Sequence, residues 1–349
     1  MNDKTAQKTH SENSKQTDQT TSPLAEMIAK TRGQQSGPCD TRAELAKLEK
    51  LIEEARQKER AAQAAQRQAA APQASAKILP FPLGIPDATR PVCNDMARAA
   101  LFAAIQGKDR LLLENALLAT VDGIEIIFSG RQFNQDDHDT LMQLICMAAR
   151  HAPLGEYVTI PATVILKALG RGTSGKEHEQ LKAEIHRLVD NTVYLRNTKT
   201  GINYRGHLID DAIQDEKTRF WRFRLNPKMA VFYERNRFTL IDWEQRINLR
   251  GKDLARWLHL YFAGNAAQYP VSVEFLREKS GSRAKSLRHY REKLRLALEQ
   301  LKAIGFLISW NIDPASDLVS VERVPSPAQQ RHIAKKAANK PRPEQPPKR

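Results

Sequence analysis

The segment SGSRAKSLRHYREKLRLALEQLKAIGFLISW, residues 280–310, decides how the rest of the chain is read. At about 100° per residue, Leu287, Tyr290, Leu294, Leu298 and Leu301 fall on one stripe, suited to packing on preceding helices. Ala284, Arg288, Arg291 and Arg295 fall on an adjacent ridge. Between Arg283 and Arg295 stand six basic residues and one acidic residue, Glu292. A solvated helix usually alternates charge sign to gain i,i+4 pairing, so this excess predicts an anionic partner opposite. Ser282, Arg283, Lys285 and Ser286 occupy the end from which a recognition helix meets base edges in the major groove. Arg291 and Arg295, further along, suit phosphates.

Working outward, the segment completes a pattern. GKDLARWLHLYFAG reads as a helix with Leu254, Trp257, Leu258 and Tyr261 on one side, and VSVEFLREKS as a second, capped by Ser272. Gly281 makes the turn, the quoted segment is the third helix, and a hairpin turns at Asp313-Pro314-Ala315-Ser316. Helix, short helix, turn, longer helix and hairpin is the order of a winged helix-turn-helix.

The same order is predicted earlier. A short helix NDMARAALFAA and a hairpin turning at Asp122-Gly123 precede the amphipathic helix QDDHDTLMQLICMAARHA, with Leu141, Leu144 and Cys146 as buried candidates. TIPATVILKALG and SGKEHEQLKAEIHRLVD read as two further helices, followed by strands NTVYLRN and GINYRGHLID. Charges alternate along the last of those helices, which predicts partner contact, with Lys199 and Arg205 of the following wing touching DNA backbone. The expected class is α+β: two tandem winged helix-turn-helix domains, at residues 93–225 and 226–324.

Outside that region, residues 1–40 hold few large apolar groups and are expected to be disordered. Residues 41–71 read as a solvated helix or short coiled coil, opened by Thr41 and Glu44 at capping-box spacing. Residues 72–92 read as a proline-rich linker, and residues 325–349 as a basic disordered tail able to add non-specific phosphate contacts. The chain of 349 residues has 55 Lys+Arg against 40 Asp+Glu, a formal charge of +15. That excess favours nucleic acid as partner. Three distant cysteines suggest neither a disulfide framework nor a zinc site, and no run approaches the ~20 apolar residues of a membrane span. A cytoplasmic protein with no membrane partner is expected.

One motif points elsewhere. GRGTSGKE, residues 170–177, approaches a phosphate-binding loop through Gly170, Gly175 and Lys176, with RFTLID ending at Asp242 imitating its metal-binding partner strand. Against an ATPase, residue 177 is Glu where a hydroxyl should ligate Mg²⁺, and the text of a parallel sheet is missing. His138, Cys146 and His151 project in different directions from one helix, which argues against a metal site. No catalytic residue and no cofactor is expected.

The segments NDMARAALF, ARHAPLGEYVTI, LARWLHLYF, YPVSVEFLREKSGS and RHYREKLRLALEQLKAIGFL, in that order, resemble the TrfA-type plasmid replication initiators over residues 78–323. The resemblance implies binding to direct repeats (iterons) at a plasmid origin, opening of adjacent AT-rich DNA, and recruitment of the host replicative helicase and polymerase sliding clamp. It also implies active monomers and dimers that restrain copy number, with the repeat read by residues 282–295. The family can carry the clamp-binding pentapeptide Gln-Leu-Ser-Leu-Phe before its first domain. KILPF, residues 77–81, stands near that point, with Ile78, Leu79 and Phe81 as candidate anchors, although Lys77 replaces the Gln and Pro80 stiffens the segment. A winged-helix transcriptional repressor is the alternative with the same fold.

Overall fold

The computed structural model describes Gln57 and residues 85–121, 123–234, 237–265, 268–326 and 329–331. The expectations for residues 1–40, for the tail beyond 331 and for Ile78, Leu79 and Phe81 lie outside the described residues. Of the expected helix at 41–71, only Gln57 is described; it is helical and exposed.

The chain begins with β1 (Thr89–Cys93), α1 (Asn94–Ala97) and β2 (Phe102–Ala103), then a 3₁₀ turn at Gly107–Asp109. Next come β3 (Leu112–Leu118), β4 (Ile124–Arg131), β5 (Phe133–Asn134) and α2 (Gln135–His151). β6 (Tyr157–Pro161), α3 (Ala162–Ala168) and α4 (Gly175–Asp190) follow. Four strands continue the chain: β7 (Thr192–Asn197), β8 (Ile202–Gly206), β9 (Ile209–Asp215) and β10 (Phe220–Leu225). After a 3₁₀ segment at Pro227–Tyr233 come β11 (Phe238–Asp242), α5 (Trp243–Ile247) and α6 (Asp253–Ala263). β12 (Val271–Ser272), α7 (Val273–Lys279), α8 (Leu287–Ala303), β13 (Ser309–Ile312) and β14 (Leu318–Glu322) complete it.

One topology occurs twice. In the first lobe α2, β6, α3 and α4 lead to β9 and β10, and the sheet order is β6-β10-β9; in the second, α6, β12, α7 and α8 lead to β13 and β14, and the order is β12-β14-β13. Each sheet is antiparallel, with the strand before the two-helix motif pairing with the last strand of the hairpin. This is the winged helix-turn-helix arrangement, and both copies of the expected fold are present.

The first wing is not where the sequence predicts it. β7 and β8 do form an antiparallel hairpin, but β7 also pairs with β4, giving a separate sheet β3-β4-β7-β8. The wing is β9–β10, so Lys199 and Arg205 belong to an inserted hairpin. TIPATVILKALG likewise divides into strand β6 and helix α3, because Val158 and Ile160 alternate into the core opposite Phe223 and Trp221 before the helical period begins. The linker expected through Val92 ends in β1, which pairs antiparallel with β11. Val92 and Cys93 are buried there, and Pro91 is tolerated in a two-stranded ribbon that needs few ladder donors. The first core continues past residue 225 through Met229, Phe232, Tyr233, Ile241 and Trp243; the second core begins at Leu249.

The helix α2 departs most from its expected amphipathic form: every residue from Asp137 to Ala148 is buried. Its polar side chains are matched from far along the chain. Arg246 of α5, 0% exposed, donates from Nε to Asp139 at 2.6 Å and from a terminal nitrogen to Gln135 Oε1 at 2.8 Å. Arg256 of α6, 1% exposed, donates to Asp136 at 2.7 Å, to the Gln135 carbonyl at 2.9 Å and to Asp139. Arg110 and Arg187 both reach Asp137, at 3.0 and 2.7 Å. Burial pushes the Asp136 carboxyl up, but the charge and hydrogen bond of Arg256 outweigh it and bring the group to about 2. Removing one partner of such a cluster leaves a buried charge uncompensated. Arg256→Met is therefore expected to cost about 3–5 kcal/mol in urea-induced unfolding.

Two buried imidazoles flank this cluster. Burial first, then Arg246 and Arg256, holds His138 well below its ordinary value; burial, then Arg246 and Arg323, brings His259 to about 3. Unfolded histidine titrates near ~6.5, so below that pH the unfolded chain binds protons the folded chain refuses. Stability should be flat above that pH and fall as it drops toward about 3, by up to about 1.4 kcal/mol per pH unit for each histidine. Urea midpoints between pH 7 and pH 5 measure this; equal midpoints would contradict it.

Candidate nucleic-acid interface

The second helix-turn-helix is built by local signals. Ser272 caps α7 by accepting from the Phe275 amide at 3.1 Å, and Ser286 caps α8 by accepting from the His289 amide at 3.2 Å. Between them Gly281 has φ +63°, a left-handed conformation natural to glycine. Tyr290, Leu294, Leu298 and Leu301 are buried as the stripe predicts, and Leu287 packs at the edge of the same core.

The cap at Ser286 places the start of α8 at Leu287, so residues 282–286 form the turn and not the first helical turn. Ala284 is therefore not on the cationic ridge. It is buried in the second core.

The predicted site residues differ in what they touch. Lys285, Ser286, Arg288 and Arg295 are exposed, as is Arg283. Arg288 is 89% exposed, and its one acidic neighbour, Glu292, is at 3.7 Å. Lys293 is exposed on the same helix and forms no ion pair among the described residues. Arg291 is half-buried and donates two hydrogen bonds to Asp317 at 2.8 and 2.9 Å, which raise its pKa and tie α8 to the wing turn. Arg283 is turned toward the first lobe, donating to the Asp109 carbonyl and to Gln132 Oε1. Ser282, half-buried, accepts from the Ala284 amide at 3.4 Å. The sequence does not reveal Asp317 as a partner, because nothing local links residues 26 apart.

No acidic residue stands in the first turn of α8. Its free amides and the positive end of its dipole add to Lys285 and Arg288 in favouring an anion there.

The first-lobe counterpart spends its charge internally. On α4, Glu184 receives two hydrogen bonds from Arg171, both at 2.9 Å, and one from Thr140 at 2.6 Å. Glu177 pairs with Arg250 at 2.8 Å, Lys182 with Glu216 at 3.4 Å, and Arg187 with Asp137. The segment 170–177 comprises the turn after α3 and the first residues of α4, with Gly170 at φ +65°; no strand feeds it as one would feed a phosphate-binding loop. Lys199 and Arg205 are exposed on the inserted hairpin.

The sequence pattern described as TrfA protein matches residues 41–323. The chain belongs to the TrfA protein family. It is 25% identical over 247 residues to the plasmid replication initiator protein TrfA of Escherichia coli, a match covering 68% of this chain and 63% of that protein. It is 26% identical over 201 residues to the replication protein RepA of Salmonella typhi, covering 56% and 57%. The matches thus span less than two thirds of either relative. Among solved structures it is similar to the Pi initiator protein in complex with iteron DNA, at 15% identity and TM-score 0.43, covering 56% of this chain and 96% of that one. It is also similar to domains 2 and 3 of RctB, at 14% identity and TM-score 0.46, covering 69% and 99%.

Asp317 withholds one cation from the surface. Asp317→Asn, which keeps a side chain suited to φ +54°, should free Arg291 and steepen the salt dependence of duplex DNA binding by about one unit of slope. Fluorescence anisotropy at several salt concentrations reads this out, and an unchanged slope would contradict it.

Proposed function

We propose that this chain is a plasmid replication initiator that binds direct repeats at an origin, promotes melting of adjacent AT-rich DNA and recruits host replication proteins. The observation that carries the reading is the exposed cationic start of α8, where Lys285 and Arg288 face a single acidic neighbour, Glu292, in a chain of the TrfA family. Lys285, Ser286 and Arg288 meet base edges in the major groove, and Arg295 meets phosphate. Arg288 offers the two parallel donors that match guanine O6 and N7. Arg291 orients the wing. Lys199 and Arg205 of the inserted hairpin add backbone contacts.

Melting draws on binding energy and needs no catalytic group of the chain itself. Contacts to a bent duplex offset a deformation cost of about 1–6 kcal/mol, and flexible AT-rich steps lower the threshold nearby. The replicative helicase and sliding clamp are the proposed partners, the clamp through Ile78, Leu79 and Phe81, and the working form is a monomer in equilibrium with a dimer. The proposed setting is the cytoplasm; among the described residues no helix is long and apolar enough to cross a membrane.

Arg288→Ala should lose discrimination between the repeat and random duplex by about 1–3 kcal/mol while keeping most non-specific affinity. Competition binding measures this, and undiminished preference for the repeat would overturn the assignment. Permanganate reactivity of thymines beside bound repeats separates initiation from repression, since a repressor leaves them unreactive.

A further inference from the structure

The turn before α8 does not stand free of the first lobe. Its Ser280 carbonyl accepts from the Ala104 amide at 2.7 Å. Gly281 lies so close to the same segment that a Cβ there would sit 2.8 Å from the Cβ of Ala103 and 3.3 Å from that of Ala100. Arg283 then reaches across to the carbonyl of Asp109, at the end of the 3₁₀ turn, and to Gln132 just after β4. Three consecutive anchors, a backbone hydrogen bond, a close backbone approach and a guanidinium clasp, fix residues 280–283 against the first lobe.

What this clasp holds beside the reading helix is the loop at residues 107–110. Arg110 is committed inward, to Asn134 at 2.6 Å and Asp137 at 3.0 Å, so the base of the loop is pinned. Lys108 is exposed and forms no ion pair among the described residues. It stands one residue from the carbonyl that Arg283 holds. Asp109 is the acidic group of this loop, and its carbonyl, not its carboxylate, takes the arginine. Lys108 is thus an exposed first-lobe cation next in sequence to Asp109, which Arg283, four residues before α8, holds.

We infer that Lys108 is a DNA-phosphate contact supplied by the first lobe to the site of the second winged helix, and that Arg283 is the positioning residue that holds it there. This rests on the duplex-binding reading of α8. The ligand is the backbone of the same duplex, because a flexible lysine beside a recognition helix is suited to a point charge contact and not to bidentate base reading. Arg283 acts through the loop, so its loss and that of Lys108 are one event.

The test is the salt dependence of repeat binding by the full chain, for the parent and for Lys108→Ala, Arg283→Gln, the double variant and Arg288→Ala. Lys108→Ala should reduce the slope of log K against log salt by about 0.9, one phosphate contact. Arg283→Gln should give a similar reduction, and the double variant no further one. A parental slope for Lys108→Ala, or losses that simply add in the double variant, would overturn the inference. Lys108→Glu, a change at an exposed position, decides the matter if Arg283→Gln does not fold. It should weaken binding more than Lys108→Ala at low salt, and parental binding by Lys108→Glu would overturn the proposal. A parent chain without salt-dependent repeat binding would instead refute the reading of α8, as would an Arg288→Ala chain with parental discrimination.

Discussion

Two buried arginines, Arg246 and Arg256, hold the two winged helices of this chain to one another. Both donate to Asp139 on α2 of the first lobe, and both donate further bonds to oxygens of Gln135. A buried guanidinium is costly unless its donors are matched, and here carboxylates and amide oxygens are supplied in a fixed geometry. The arrangement admits one relative placement of α2, α5 and α6. Trp257 adds a hydrogen bond to the Ala99 carbonyl at 3.1 Å from the neighbouring turn of α6. Helix α8 inherits its position from this lock, since it packs on α6 and the turn before it is fastened to residues 100–104.

The repeated topology makes the difference in charge informative. Two copies of the same arrangement of helices and wing present third helices of similar length, α4 and α8. The first turns Glu184 and Arg187 into bonds within its own lobe and Glu177 into a bond to Arg250, just past the start of the second core. The second, with the turn before it, leaves Lys285, Arg288, Lys293 and Arg295 in solvent, ties Arg283 to the first lobe and ties Arg291 to the wing turn. The fold supports both uses, because the apolar stripe that packs the helix leaves its outer face free to vary.

Much of this was legible in the sequence wherever the signal was local. The stripe from Tyr290 to Leu301, the cap at Ser272, the glycine turn at 281 and the hairpin at 313–317 are patterns of spacing and turn chemistry, and the structure contains them. The misreadings share a cause, which is distance along the chain. α2 looked amphipathic because its polar positions find partners more than 100 residues away, in Arg246 and Arg256. The ribbon β1–β11 hid in proline-rich text because its partner strand comes after every other strand of the first lobe. The first wing was assigned to the hairpin next after α4, whereas β7 is drawn aside by β4 and the wing is completed by β10. Charge density on α8 was readable, but the fate of each arginine was not: Arg283 and Arg291 meet partners that no spacing rule connects to them.

Directed cleavage from α8 itself tests the central claim most directly. With Glu292→Cys carrying a tethered iron chelate, in a Cys39→Ser background where Cys93 and Cys146 are buried, cuts can be mapped on origin DNA. The account predicts cleavage confined to one major-groove position within each repeat, in register from repeat to repeat. Cleavage that is absent, or spread evenly over the plasmid, would contradict it.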